Sequence, residues 1–157
     1  MDVPVFHGYE LHTLSIFQDE LDRLVTEVER LQAKAPDNFD SHPLFKLLEG
    51  VLNNITEFVP SNPADPAYRL GNTMGKTGKA WSRVKKKTLP DRYRLFFRFN
   101  SHAPKSIIYA WLNNEATLRK DGAKTDVYHV FEKMLDKGTV PNTWQELVEG
   151  AAPLDVG

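Results

Sequence analysis

Two stretches of the chain repeat apolar residues at three- and four-residue steps, the spacing that gathers them on one face of an α-helix. In the first, Phe17, Leu21, Leu24, Val25, Val28 and Leu31 follow Ser15, a residue suited to cap a helix, and Pro36 forbids continuation. In the second, Ser41 and Pro43 open a run with Leu44, Leu47, Leu48, Val51, Leu52 and Ile55 on one side, which Pro60 closes. The short connection predicts a helical hairpin. Neither run sustains enough heptads for a coiled-coil seam, so both stripes are expected to pack on a sheet.

Beyond a proline-rich loop (60–66) and a glycine-rich polar one (71–79), with at best a brief edge strand at 68–70 between them, the period changes to two. Segments 81–86, 92–99 and 105–112 are rich in aromatic and branched residues, and 100–104 makes a hairpin loop between the last two. Thr125 or Asp126 can cap a third helix carrying Val127, Val130, Phe131 and Met134 and ended by Gly138, and Thr143 starts a short terminal turn. This order describes one α+β domain over residues 1–157, an antiparallel sheet with helices packed on one face.

Charge changes the picture. Residues 1–60 hold 4 basic and 11 acidic side chains, whereas 69–98 hold 10 basic ones against Asp91 alone, a balance of −7 against +9. Such segregation points to one face that meets a polyanion. In segment 92–99, alternation sends Tyr93, Leu95, Phe97 and Phe99 to the core and Arg92, Arg94, Phe96 and Arg98 to the other side, and in the preceding strand Trp81, Arg83, Lys85 and Lys87 share a side. Paired, the rows form a basic patch interleaved with rings, suited to single-stranded RNA. After the last strand, Asn113, Arg119, Lys124, Thr125 and Tyr128 lie in the loop and helix start, where function commonly sits.

Other chemistries recede. With no cysteine there is no disulfide, thiolate nucleophile or thiolate metal site. The five histidines show no paired ligand spacing, so no metal and no cofactor is expected, and His129 sits on an exposed helix surface. The run GNTMGKT at 71–77 has three residues between its glycines where a phosphate-binding loop needs four, and no helix follows. The first fourteen residues lack the basic start and apolar run of a secretory signal, and no apolar run approaches spanning length, which predicts a cytoplasmic protein without membrane contact.

The stretches WSRVK (81–85), RYRLFFR (92–98), WLNNEATLR (111–119) and KTDVYHVFEKML (124–135) resemble the signature blocks of YhaV-type toxins, and the likeness extends more weakly through both helices and PAYRLG (66–71). Such toxins are RelE-like members of type II toxin-antitoxin systems. The resemblance implies a small antiparallel sheet holding an N-terminal helical hairpin and a C-terminal helix, cleavage of messenger RNA, often on the ribosome, and neutralisation by a PrlF-like antitoxin through which operator DNA is bound. By motif, the alternating basic pair falls on Arg83 and Lys85, the strand arginine on Arg94, the later basic residue on Arg119 or Lys124, and the helix tyrosine on Tyr128. Arg94, Lys85, Arg119 and Tyr128 are then the catalytic candidates, and Arg83, Arg92, Arg98, Trp111 and Lys124 the RNA-binding ones. Lysine and tyrosine ordinarily keep their protons at neutral pH, so Lys85 or Tyr128 as general base needs a cationic neighbourhood or help from the RNA. Two positions depart from the pattern: Asn114 replaces the usual acidic residue, and loop 87–91 is extended and lacks the usual glycine. A non-cleaving inhibitor of a protein such as DNA gyrase, and a plain RNA-binding module, are the alternatives.

Overall fold

A computed structural model describes residues 2–156. Its centre is a six-stranded sheet of β1 (Val5–Phe6), β2 (Tyr9–Thr13), β3 (Ser82–Val84), β4 (Leu95–Asn100), β5 (Ser106–Leu112) and β6 (Ala152–Pro153), in the order β1-β2-β5-β4-β3 with β6 beside β2. The fold is α+β, as expected, but the sheet is not wholly antiparallel. Strand β2 lies parallel to β5, pairing Leu11 with Ile107 and Thr13 with Tyr109. The first two strands were not foreseen, although YELHT alternates: Tyr9, Leu11 and Thr13 are buried and Glu10 and His12 half-buried.

The helical hairpin covers one face. Helix α1 (Ser15–Lys34) begins one residue earlier than a Ser15 cap would set it, since Leu14 occupies the cap position, and α2 (Pro43–Asn53) has Pro43 in its first turn behind a His42 cap. Phe17, Leu21, Leu24, Leu47, Val51 and Ile55 meet Leu11, Leu95, Phe97, Ile107 and Tyr109 there. Each such side chain withdrawn from water contributes about 1.5–3 kcal/mol. Pro60 does not end the second helix. A π turn (Asn54–Phe58) leads into α3 (Val59–Ser61), which carries the proline in its first turn.

Helices lie on both faces of the sheet, not one. Helix α4 (Val127–Lys137), capped by Asp126 and ended by Gly138 at a positive φ of 77°, packs Val127, Tyr128, Phe131 and Leu135 on the second face with Trp81, Phe96 and Trp111. A bulge makes this possible. Phe96 pairs with Trp111 but Phe97 with Tyr109, so Ala110 and Trp111 both turn to the α4 side. Phe96 stacks on Phe131 with centroids 4.0 Å apart, and Trp111 stacks on the same ring at 5.8 Å. The terminal turn is α5 (Trp144–Gly150), capped by Thr143.

Near the site, segment 68–70 is a single bridge between Arg69 and Ser82 after a 3-10 turn, Pro66–Tyr68. Strand β3 stops at Val84, and Lys86 takes a positive φ of 75°, which breaks the alternation drawn from Trp81 to Lys87. Lys87 instead reaches Asp65 at 3.1 Å and lies 4.7 Å from the Tyr68 ring.

Candidate active site

Arg83 lies opposite Phe96 in the β3–β4 ladder, and Arg94 precedes Phe96 by two residues, so both leave the sheet on the α4 side. Each donates its Nε–H to the hydroxyl oxygen of Tyr128, at 2.9 Å in both cases. Arg83 also donates to the carbonyls of Ala67 and Arg69, and Arg94 to that of Tyr93. The two arginines are 7% and 5% exposed, and among the described residues neither pairs with a carboxylate. Two guanidinium charges are therefore held largely out of water against the Tyr128 hydroxyl.

Arg119 approaches the same ring, 5.0 Å from its centroid, with Arg94 at 5.8 Å. It is oriented by the buried Asp126, whose Oδ1 accepts from Arg119 at 2.7 Å and from the Lys120 N–H at 2.6 Å, while Oδ2 caps α4 through the Tyr128 N–H. Burial alone would raise the Asp126 carboxyl, but the Arg119 guanidinium and these N–H donors outweigh it and hold the group below its ordinary value.

Asn113, 1% exposed, ties the site together: it accepts from the Arg94 N–H at 2.8 Å and donates to the carbonyls of Arg92 and Thr117. Arg92, at φ 72°, donates to the Arg119 carbonyl, and its own carbonyl accepts from the Arg119 N–H. Arg92 is thus an exposed brace between the strand and the loop. Asn114, the departure from the acidic pattern, caps the 3-10 turn Glu115–Thr117 by accepting from the Ala116 N–H at 2.9 Å. A carboxylate would accept the same bond, so the amide preserves the turn.

Arg119, Lys124, Asp126 and Tyr128 line an open cleft of about 300 Å³, with Thr73, His129 and Glu132 on its other walls. Lys124 is exposed at its rim. Lys85 is also exposed, one step past β3 and across from Arg94 if the ladder is continued. Two candidates lie elsewhere. Arg98 sits 5.6 Å over Trp81 and donates to the Asn142 carbonyl, four residues further along β4, where burial lowers its pKa. Trp111 is 8% exposed and lies 5.8 Å from both Phe96 and Phe131, so it is a buried core ring and not an open stacking platform for a base. Sequence reasoning assigned Asp126 only a capping role; that a carboxylate seven residues beyond an arginine also orients it has no local signature.

The profile of the YhaV toxin family, described as a toxin with endonuclease activity of a toxin-antitoxin system, matches residues 11–152. "Ribonuclease toxin YhaV" of Escherichia coli (strain K12) is 45% identical over 149 residues, spanning 94% of this chain and 95% of that protein. "Toxin YhaV" of Escherichia coli O6:H1 is 44% identical over 151 residues, 95% of this chain and 96% of the other. No solved structure matches significantly. With nearly the whole length matched and Arg83, Arg94, Arg119 and Tyr128 lying inside it, the chain belongs to the YhaV family of toxins, the endonuclease components of toxin-antitoxin systems.

Proposed function

We propose that this toxin cleaves RNA without a metal ion, by attack of a 2′-hydroxyl on the adjacent phosphate. The P–O5′ bond breaks, and the products are a 2′,3′-cyclic phosphate and a 5′-hydroxyl. The nucleophile belongs to the RNA, so the protein must only position the phosphate, stabilise its charge and move two protons. The observation that carries this reading is the pair of Arg83 and Arg94, buried without a carboxylate partner among the described residues and converging on the Tyr128 hydroxyl. Buried charges call for counter-charge, and a phosphodiester supplies it.

Arg94 and Arg119 stabilise the charge that develops on phosphate, each preorganised donor being worth about 3 kcal/mol. Arg83 helps Arg94 hold the phenol. Because the Tyr128 oxygen already accepts two N–H groups, its own O–H is left to donate, and it protonates the departing 5′-oxygen. Lys85, across from Arg94, is the candidate for taking the 2′-proton. Lys124 at the rim guides the backbone into the cleft, and Arg92 braces it.

The substrate in the cell is messenger RNA in the cytoplasm, with or without a ribosome, and a PrlF-like antitoxin neutralises the toxin and carries the complex to operator DNA. An RNA oligonucleotide with one 2′-deoxynucleotide at the cut site tests the reaction. It should resist cleavage there while an all-RNA control is cut, and equal cutting of both would exclude the 2′-hydroxyl mechanism.

A further inference from the structure

Asn54 stands in the π turn with no solvent exposure, and its Oδ1 is the buried side-chain polar atom left without a partner among the described residues. Its Nδ2 donates to the Gly50 carbonyl at 2.7 Å, to the Lys87 carbonyl at 2.9 Å and towards Thr88 Oγ1 at 3.4 Å. The helix below fits the loop closely as well. A Cβ on Gly50 would come 2.4 Å from the Thr88 carbonyl oxygen.

What is clamped this way is a loop in an unfavourable conformation. Lys86 and Thr88 have φ of 75° and 67°, a region that β-branched residues in particular avoid. Leu89, 4% exposed, anchors the far end in the core and donates its N–H to the Lys86 carbonyl. Of the three consecutive lysines, Lys87 is engaged by Asp65 and Tyr68, while Lys85 and Lys86 stand exposed on a backbone that cannot relax. A loop needed only to join β3 to β4 would have no use for this arrangement, and strain held by surrounding structure gathers at functional sites.

We propose that the 85–88 loop is a prebuilt phosphate subsite for the RNA backbone flanking the scissile bond, with Lys86 as its contact, Lys85 at its junction with the active site, and Asn54 as its positioning residue. It rests on the RNA-cleaving reading above. Since Lys85 lies across from Arg94 and Lys86 is the next residue along the chain, the RNA strand leaving the arginine cluster passes along the sheet edge from Lys85 to Lys86.

Binding of a short single-stranded RNA across a salt series tests this, alongside steady-state cleavage by the wild-type protein, Lys86→Gln and Asn54→Ala. For single strands each phosphate contact adds about 0.7 to the slope of log affinity against log salt. Lys86→Gln should lower the slope by about that amount with its loss of kcat/KM falling on KM, and Asn54→Ala should lower the slope by about as much, with kcat falling as well because the same loop carries Lys85. A merely structural role for Asn54 would reduce the active fraction and leave the slope unchanged. If the wild-type protein cuts RNA and Lys86→Gln keeps its slope and KM, the subsite is refuted; if the wild-type protein does not cut RNA, the underlying reading fails with it. Lys86 is exposed, so its substitution leaves the fold intact and the test decisive should Asn54→Ala fail to fold.

Discussion

Tyr128 accepts a 2.9 Å hydrogen bond from Nε of Arg94, a contact that joins the first turn of α4 to the entry of β4. Arg83 binds the same oxygen from the neighbouring strand, so two elements and one helix share a single polar centre.

Removing that oxygen alone is the sharpest perturbation. Tyr128→Phe keeps the ring, which meets Phe96 edge-on at 5.9 Å, but leaves two buried N–H donors without an acceptor. The expected loss of stability is about 1–3 kcal/mol, read by denaturant unfolding. Cleavage should fall roughly 10²–10⁴-fold, the usual contribution of a positioned proton donor.

Arg94→Ala should lower kcat by about 10²–10³-fold in a protein whose circular dichroism is unchanged. Arg94→Lys should not restore activity, because one ammonium cannot bind both the phenol and the Tyr93 carbonyl as the guanidinium fork does. Undiminished cleavage by folded Arg94→Ala would remove this residue from the site.

Asp126 gives the protein an acid-sensitive element. Its carboxyl sits below its ordinary value in the fold, so the stabilisation it provides is complete above the unfolded pKa of about 3.9 and is lost as pH falls through the folded value. Asp126→Asn should therefore be less stable than wild type at neutral pH, by about 1–3 kcal/mol, with the gap closing as pH drops below about 4. Urea unfolding at a series of pH values checks this; a gap constant with pH would contradict the ion pair's role.

Phe131→Ala tests the second face. The ring stacks on both Phe96 and Trp111, and its removal should cost about 3–5 kcal/mol in unfolding free energy.

The helices, the strand segments and the arginine strand were legible because each is written in local periodicity. The face of Trp111 was not: the bulge at Ala110 shifts the alternation by one, and a shift of register leaves no trace in residue order. The fate of Lys87 was hidden likewise, since the turn at Lys86 is stabilised from the π turn after α2, more than thirty residues away, through Asn54. Asn54 itself had a signal, a polar side chain between Val51 and Ile55 on the apolar stripe, but its partners are tertiary. Residue types and motif resemblance named Arg83, Arg94, Arg119 and Tyr128 as candidates, whereas their convergence on the Tyr128 hydroxyl and ring and the bracing by Asn113 and Asp126 required the folded chain.

The central claim is metal-free attack by the 2′-hydroxyl, and analysis of the ends formed when purified toxin meets RNA in excess chelator tests it most directly. The account predicts cleavage that persists in chelator and leaves 2′,3′-cyclic phosphate and 5′-hydroxyl ends. RNA left intact with and without ribosomes, or cut only with added metal to give 5′-phosphate ends, would contradict it.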